Sequence, residues 1–242
     1  MKKISYLLCA LFLTLFFCAC EAKEIPQETV QPAGKQTAEE AIDSNALLYS
    51  LDLTKEIMSD PELAKETYEG NYYLINFIVD TVSNKDYIRG MSEHPLYTVK
   101  RAVYYAAYLP EEEREGVAIG DVIQVVGKIS SIEKRFNGAI FVEITDAHCL
   151  RRTFQISGEV VMIMTNYDGE KLCNLLNDGI LSPAHSEVSI YLPDDCDPAV
   201  GDQITVTGKL DGAFLGKVFF ASADYSDYIL LMEHPESIEL VK

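Results

Sequence analysis

The feature that most constrains this 242-residue chain is an ordered set of motifs that occurs twice. Tyr108-Leu109-Pro110, an acidic linker and Gly120-Asp121-Val122-Ile123-Gln124-Val125-Val126-Gly127-Lys128 form the first set. Tyr191-Leu192-Pro193, an acidic linker and Gly201-Asp202-Gln203-Ile204-Thr205-Val206-Thr207-Gly208-Lys209 form the second. The offset is 83 residues at the Tyr-Leu-Pro and 81 at the Gly-Asp, so the linkers differ by two. Strand-like segments precede each set at residues 72–79 and 158–164. Others follow at 140–144 and 217–221, and residues 102–109 read as a further strand. Recurrence in fixed order means one supersecondary unit built twice.

The periodicity predicts what that unit is. In residues 203–207 apolar and polar residues alternate, so Ile204 and Val206 face a core while their neighbours face out. Glycine then allows a sharp bend at Gly127-Lys128 and Gly208-Lys209, through positive φ or close backbone approach. Short strands with glycine kinks over some eighty residues suit a small closed barrel, which also removes exposed strand edges. Helices are expected ahead of the first copy. Thr37 with Glu40 forms a capping box before Ala41, Ile42, Ala46, Leu48 and Leu51, and Asp60-Pro61-Glu62 opens a second helix that Gly70 stops. In the second copy Leu172, Leu175 and Leu176 sit at helical spacing, which predicts a short helix over 169–179. The fold class expected is mainly β: two tandem small barrels with short N-terminal helices.

The amino terminus reads as an address. Lys2 and Lys3 precede a fourteen-residue apolar stretch, residues 4–17, broken by Ser5 and Thr14 and too short for a stable span. It ends Phe17-Cys18-Ala19-Cys20, which resembles a bacterial lipoprotein signal. The resemblance implies cleavage before Cys20 and lipidation of its thiol, with a membrane as the first partner; several acyl chains hold where one does not. Phe17 and Cys18 depart from the leucine and small residue usual at their places. Residues 21–40 are rich in Glu, Gln, Pro, Thr and Ala and suit a flexible tether. The organisation expected is therefore signal 1–19, tether 20–40, helices plus first barrel 41–152 and second barrel 153–242. Extracytoplasmic attachment to the cell membrane follows from that order.

The barrel motif itself resembles the tRNA-anticodon-like OB family. The matching residues are Leu63-Ala64-Lys65-Glu66-Thr67-Tyr68-Glu69-Gly70, the Gly120–Lys128 motif, and Phe141-Val142-Glu143-Ile144-Thr145-Asp146-Ala147-His148-Cys149. The likeness spans about residues 60–150 and, more loosely, 155–232, where Tyr225 stands near the place of Cys149 and the helix is missing. Asp80 stands where that family often has glycine. The resemblance implies a barrel fold and leaves the ligand open.

Chemistry is sparse. No Gly-x-Ser-x-Gly elbow, phosphate-binding loop or His-Glu-x-x-His helix occurs, and His94, His148, His185 and His234 are dispersed. Beyond Cys20, Cys149, Cys173 and Cys196 allow at most one internal disulfide. They form no Cys-x-x-Cys and read as structural residues, so neither metal nor cofactor is expected. Glu111-Glu112-Glu113 and Asp194-Asp195-Cys196-Asp197 occupy matching linkers. They lack the spacing of a calcium loop, although their carboxylates could serve a hydrolytic or metal-dependent enzyme.

Tyr73, Phe77, Tyr104, Tyr105 and Tyr108, on strands of the first barrel, mark a possible binding face, because OB-type barrels use such strands for bases or sugars. Lys2 and Lys3 are the only charges before Cys20, so the chain from there carries 18 basic against 38 acidic side chains, a net of −20. That disfavours nucleic acid as a partner. The expected function is a non-catalytic, lipid-anchored binding module of the cell envelope. Its partner would be a protein, a glycan or a small ligand.

Overall fold

The computed structural model describes residues 37–83, 86–92, 103–135, 138–165, 168–178, 180, 185–211 and 229–241. The expected signal, Cys20, most of the tether and the strand at 217–221 lie outside the described residues. Among the described residues, no helix is long and apolar enough to cross a membrane.

Among the described residues, three short helices come first. Helix α1 (Ala38–Asp43) begins within the last residues expected as tether and carries the predicted capping box: Thr37 Oγ1 accepts from Glu40 N while Glu40 Oε2 accepts from Thr37 N at 2.8 Å. Strand β1 (Leu47–Tyr49) interrupts the expected helical run before α2 (Ser50–Ser59). Helix α3 (Pro61–Tyr68) starts as predicted, with Asp60 Oδ1 accepting from Leu63 N and Pro61 at its first position. Gly70, at φ +90°, turns the chain out of it.

The first barrel comprises β2 (Tyr72–Val82), β3 (Tyr87–Met91), β4 (Val103–Tyr108), β5 (Val122–Lys134) and β6 (Ile140–Arg151). The strands run in the order β2-β3-β4-β6-β5, and β5 pairs back onto β2, so the barrel is closed. Only β4 and β6 are parallel in this ring. Its core includes Tyr73, Ile75, Phe77, Ile88, Tyr105, Ile123, Val125, Ile129 and Ile144, and Leu53 and Ile57 of α2 stop one end. There Tyr105, wholly inside, donates its hydroxyl proton to Ser50 O at 2.7 Å and lies 2.8 Å from Thr54 Oγ1. A short helix, α4 (Glu111–Arg114), links β4 to β5.

The second sheet repeats the pairing. It contains β7 (Phe154–Thr165), β8 (Lys171–Asp178), β9 (His185–Tyr191), β10 (Gln203–Gly208), β11 (Ile229–Met232) and β12 (Pro235–Val241) in the order β11-β9-β8-β7-β10-β12. Strand β2 pairs with β5 from Tyr73↔Gly127 to Ile78↔Val122, and β7 pairs with β10 from Phe154↔Gly208 to Glu159↔Gln203, the same register moved by 81 residues. The part of β6 is shared by two strands: β11 lies parallel to β9 and β12 antiparallel to β10, with Glu233 and His234 between. The result is a curled half-barrel beside a closed one. The predicted helix at 169–179 is wrong. Residues 171–178 form β8, with Cys173 and Leu175 facing the core and Leu172 packed on Leu231 outside it. Leucines three and four apart fitted a helix, but the alternation Cys173, Leu175 belongs to a strand.

The Gly-Asp motif has the same atomic role in both copies. Gly120 (φ +102°) donates its N–H to Val79 O and Asp121 O accepts from Val79 N. Asp121 Oδ2 accepts from Ala118 N at 2.9 Å. Gly201 (φ +95°), Val160, Asp202 and Ala199 reproduce each bond, with Oδ2 at 2.8 Å. The Gly-Lys glycines, by contrast, use close approach rather than positive φ. A Cβ on Gly127 would lie 2.5 Å from Ile144 Cγ2 and 3.0 Å from Ala147 Cβ; one on Gly208 would lie 2.7 Å from Met232 Sδ and 3.2 Å from Pro235 Cα.

The outer faces of the two copies differ. On β2 and β5, Leu74 and Val126 are covered by Ala41 of α1, while Ile78 and Val122 join the core of the second sheet. Between them Asn76 Nδ2 donates to Ile180 O at 2.7 Å, and Val122 N donates to Leu210 O. The equivalent positions on β7 are Gln155, Ser157 and Glu159, all exposed. Strand β2 is therefore buried on both sides, which is why it reads as an almost unbroken apolar run.

Candidate recognition face on the first barrel

Alternation along β2 and β4 divides the five aromatics expected on a binding face. Tyr73, Phe77 and Tyr105 point inward and are buried, Phe77 and Tyr105 with rings stacked 6.1 Å apart. Tyr104 and Tyr108 point outward, half-buried and exposed respectively. Each finds a second aromatic that sequence reading missed. Tyr104 pairs with Phe141 across the parallel β4–β6 ladder, centroids 5.2 Å apart, and Tyr108 with Tyr87 across β3–β4 at 5.6 Å.

Two aromatic rows thus flank Ala106, whose small side chain forms the floor between Tyr104 and Tyr108. Arg89 and Glu143 stand opposite Ala106 on the neighbouring strands. Arg89 lies over the Tyr104 ring, 4.7 Å from its centroid, and Arg135 over Phe141 at 5.0 Å. The missed residues were accessible to the period-2 rule: Tyr87 and Arg89 alternate with Ile88 and Gly90, and Phe141 and Glu143 with Val142 and Ile144.

Both arginines are neutralised. Asp80, bulged where β2 slips register against β3, accepts from Arg89 Nε at 2.9 Å and from Nη2 at 2.8 Å. That bond holds the guanidinium proton above its already high ordinary range. Thr81 Oγ1 takes a further bond from Nη2 at 2.8 Å. Arg135 reaches Glu143 at 3.5 Å. Among the described residues, the face offers ring planes and hydrogen-bonding groups, with both of these arginines paired to carboxylates.

On the corresponding face of the second sheet Leu176 is exposed, but four of its neighbours are not. Leu172, Asn174, Ser189 and Leu231 face away from the core yet are buried, with Ser189 Oγ 2.9 Å from Asn174 Oδ1.

No family model matches the chain, and no curated protein matches it.

Glu113 and Asp197 of the acidic linkers have structural roles. Glu113 Oε2 accepts from Cys149 N at 2.6 Å and Oε1 lies 2.9 Å from His148 Nδ1, while Arg152 Nη1 and Nη2 donate to the carbonyls of Glu115 and Glu113. Asp197 holds Lys171 at 2.9 Å and raises its pKa. Asp168, Glu170, Asp194 and Glu233 border an open cleft of about 1010 Å³ in the second sheet. Among the described residues, no three His, Cys, Asp or Glu side chains converge in a way that could hold a metal ion.

Proposed function

We propose that the chain is an exported protein of two tandem OB-like barrels, anchored by a lipid on Cys20. In this reading it acts without catalysis, binding a neutral glycan of the cell envelope on the outer face of β3, β4 and β6. The observation that carries the ligand class is the charge-neutralised aromatic face. Sugar rings present apolar C–H faces to aromatic planes and hydroxyls to carboxylate and guanidinium groups. A phosphodiester would meet arginines already bound by Asp80 and Glu143, on a chain of net charge −20. The lipoprotein-like signal and the tether-like composition of residues 21–40 support the placement on a membrane.

Two measurements test this reading. Cys20→Ala moves the protein from the membrane to the soluble fraction without unfolding it; retention on membranes in high salt defeats the anchor. Calorimetric titration of the full chain in detergent with neutral envelope oligosaccharides gives binding that Tyr104→Ala weakens about tenfold, the loss of one stacking plane. Tighter binding of a single-stranded oligonucleotide, falling steeply with salt, overturns the glycan assignment.

A further inference from the structure

The second sheet holds two thiols in one place. Cys173, on β8, faces the core and is fully buried, and Cys196, in the loop before β10, packs against the same cluster. The loop is fixed there by three bonds: Cys196 N donates to Pro193 O at 2.9 Å, Leu192 N to Lys171 O at 2.9 Å, and Lys171 Nζ to Asp197 Oδ1 at 2.9 Å. Residue 171 of the strand is thereby tied to residues 192 and 197 of the loop, and Cys173 and Cys196 meet the same core cluster. Burial first, and the negative charge of an ionised Cys196 second, push the Cys173 thiol up to about 12. Cys149 lies on β6 and packs against the core of the first barrel. All three are free thiols in this structure.

We propose that Cys173 and Cys196 are a redox pair that closes to one disulfide on oxidation and leaves Cys149 free. The acceptor is a low-molecular-weight disulfide such as oxidised glutathione. Cys196, the more accessible thiol, loses its proton to solvent and attacks one glutathione sulfur; the glutathione S–S bond breaks and one glutathione leaves. Cys173 then loses its proton, its thiolate attacks Cys196 Sγ, the mixed disulfide breaks and the second glutathione leaves. Two protein thiols are oxidised and one glutathione disulfide is reduced to two thiols. The second step is the slow one, because the buried Cys173 is rarely a thiolate at neutral pH. The closed loop spans 24 residues, including β9, in the sheet that hydrogen bonds leave open.

The full chain, purified under reducing conditions, is equilibrated in a glutathione buffer at pH 8, alkylated and mapped by mass spectrometry without reduction. A Cys173–Cys196 linked peptide with Cys149 alkylated is the expected result. The melting temperature rises by roughly 5–10 °C, as a loop of this size should give in a domain this large. Cys196→Ala abolishes link and rise, and Cys149→Ala preserves both. A cross-link through Cys149, or glutathione resting on Cys196 beside a free Cys173 at equilibrium, overturns the proposal.

Discussion

Gly127 and Gly208 do the same work in the two copies, and neither uses the positive φ that the sequence allows them. Each stands where the closing strand passes over the barrel wall: Ile144 and Ala147 in the first, Met232 and Pro235 in the second. The spacing of the Gly-Lys pairs was legible, but its cause lay on strands far along the chain. Gly127→Ala should destabilise by about 1–3 kcal/mol through overpacking. Gly208→Ala should cost less, since Met232 can swing its sulfur aside; urea denaturation of the two variants checks the order. Cys173 gives a second prediction at this scale. Its folded pKa stands near 12, raised by burial, against about 8.5 in an unfolded chain. Between those values the native state keeps a proton that the unfolded state has lost, so stability falls as pH rises and is unaffected below about pH 8. Cys173→Ala lowers stability at neutral pH by leaving a cavity. It also flattens the alkaline slope of the denaturation midpoint, and an unchanged slope would remove Cys173 as the cause.

Capping, turn and strand signals transmitted most of the architecture at the level of elements. Thr37 with Glu40 and Asp60-Pro61 marked two helix starts, and the strands at 72–79, 140–144 and 158–164 are present, each extended at one end or both. Strand β8 was misread because Leu172 and Leu176 face outward yet pack or lie apolar there, filling in the gaps that a half-buried strand would show. The candidate face on the first barrel was half legible. Tyr104 and Tyr108 were named; Tyr87 and Phe141 were legible as outward-facing, but their pairing with those tyrosines depends on ladder register, which a single sequence does not display. Thr37→Ala removes an N-cap acceptor and should cost about 1 kcal/mol, measured by thermal unfolding. Because α1 covers Leu74 and Val126, the loss should appear in the global transition rather than as local fraying of residues 38–43 alone.

The two sheets are held together across the outer face of β2 and β5. Asn76 is buried, bonds the Ile180 carbonyl, and stands in register with half-polar Gln124, while Ile78 and Val122 enter the second core. Asn76→Ala leaves that carbonyl without its donor and should destabilise by about 1–3 kcal/mol. It should also broaden the single unfolding transition that the shared interface enforces. Two well-separated transitions in the unaltered chain would mean that the barrels are energetically independent. The asymmetry was visible in outline: residues 203–207 alternate, whereas Val122-Ile123-Gln124-Val125-Val126 is apolar on both sides, and only a strand covered twice can be so. This carries a consequence for biosynthesis. The wall bearing Ile78 and Val122 leaves the ribosome well before residue 154, so a nascent half-chain shows a sticky stripe with its cover still unmade. A chaperone that keeps the polypeptide unfolded until its last strands emerge would spare it from self-association.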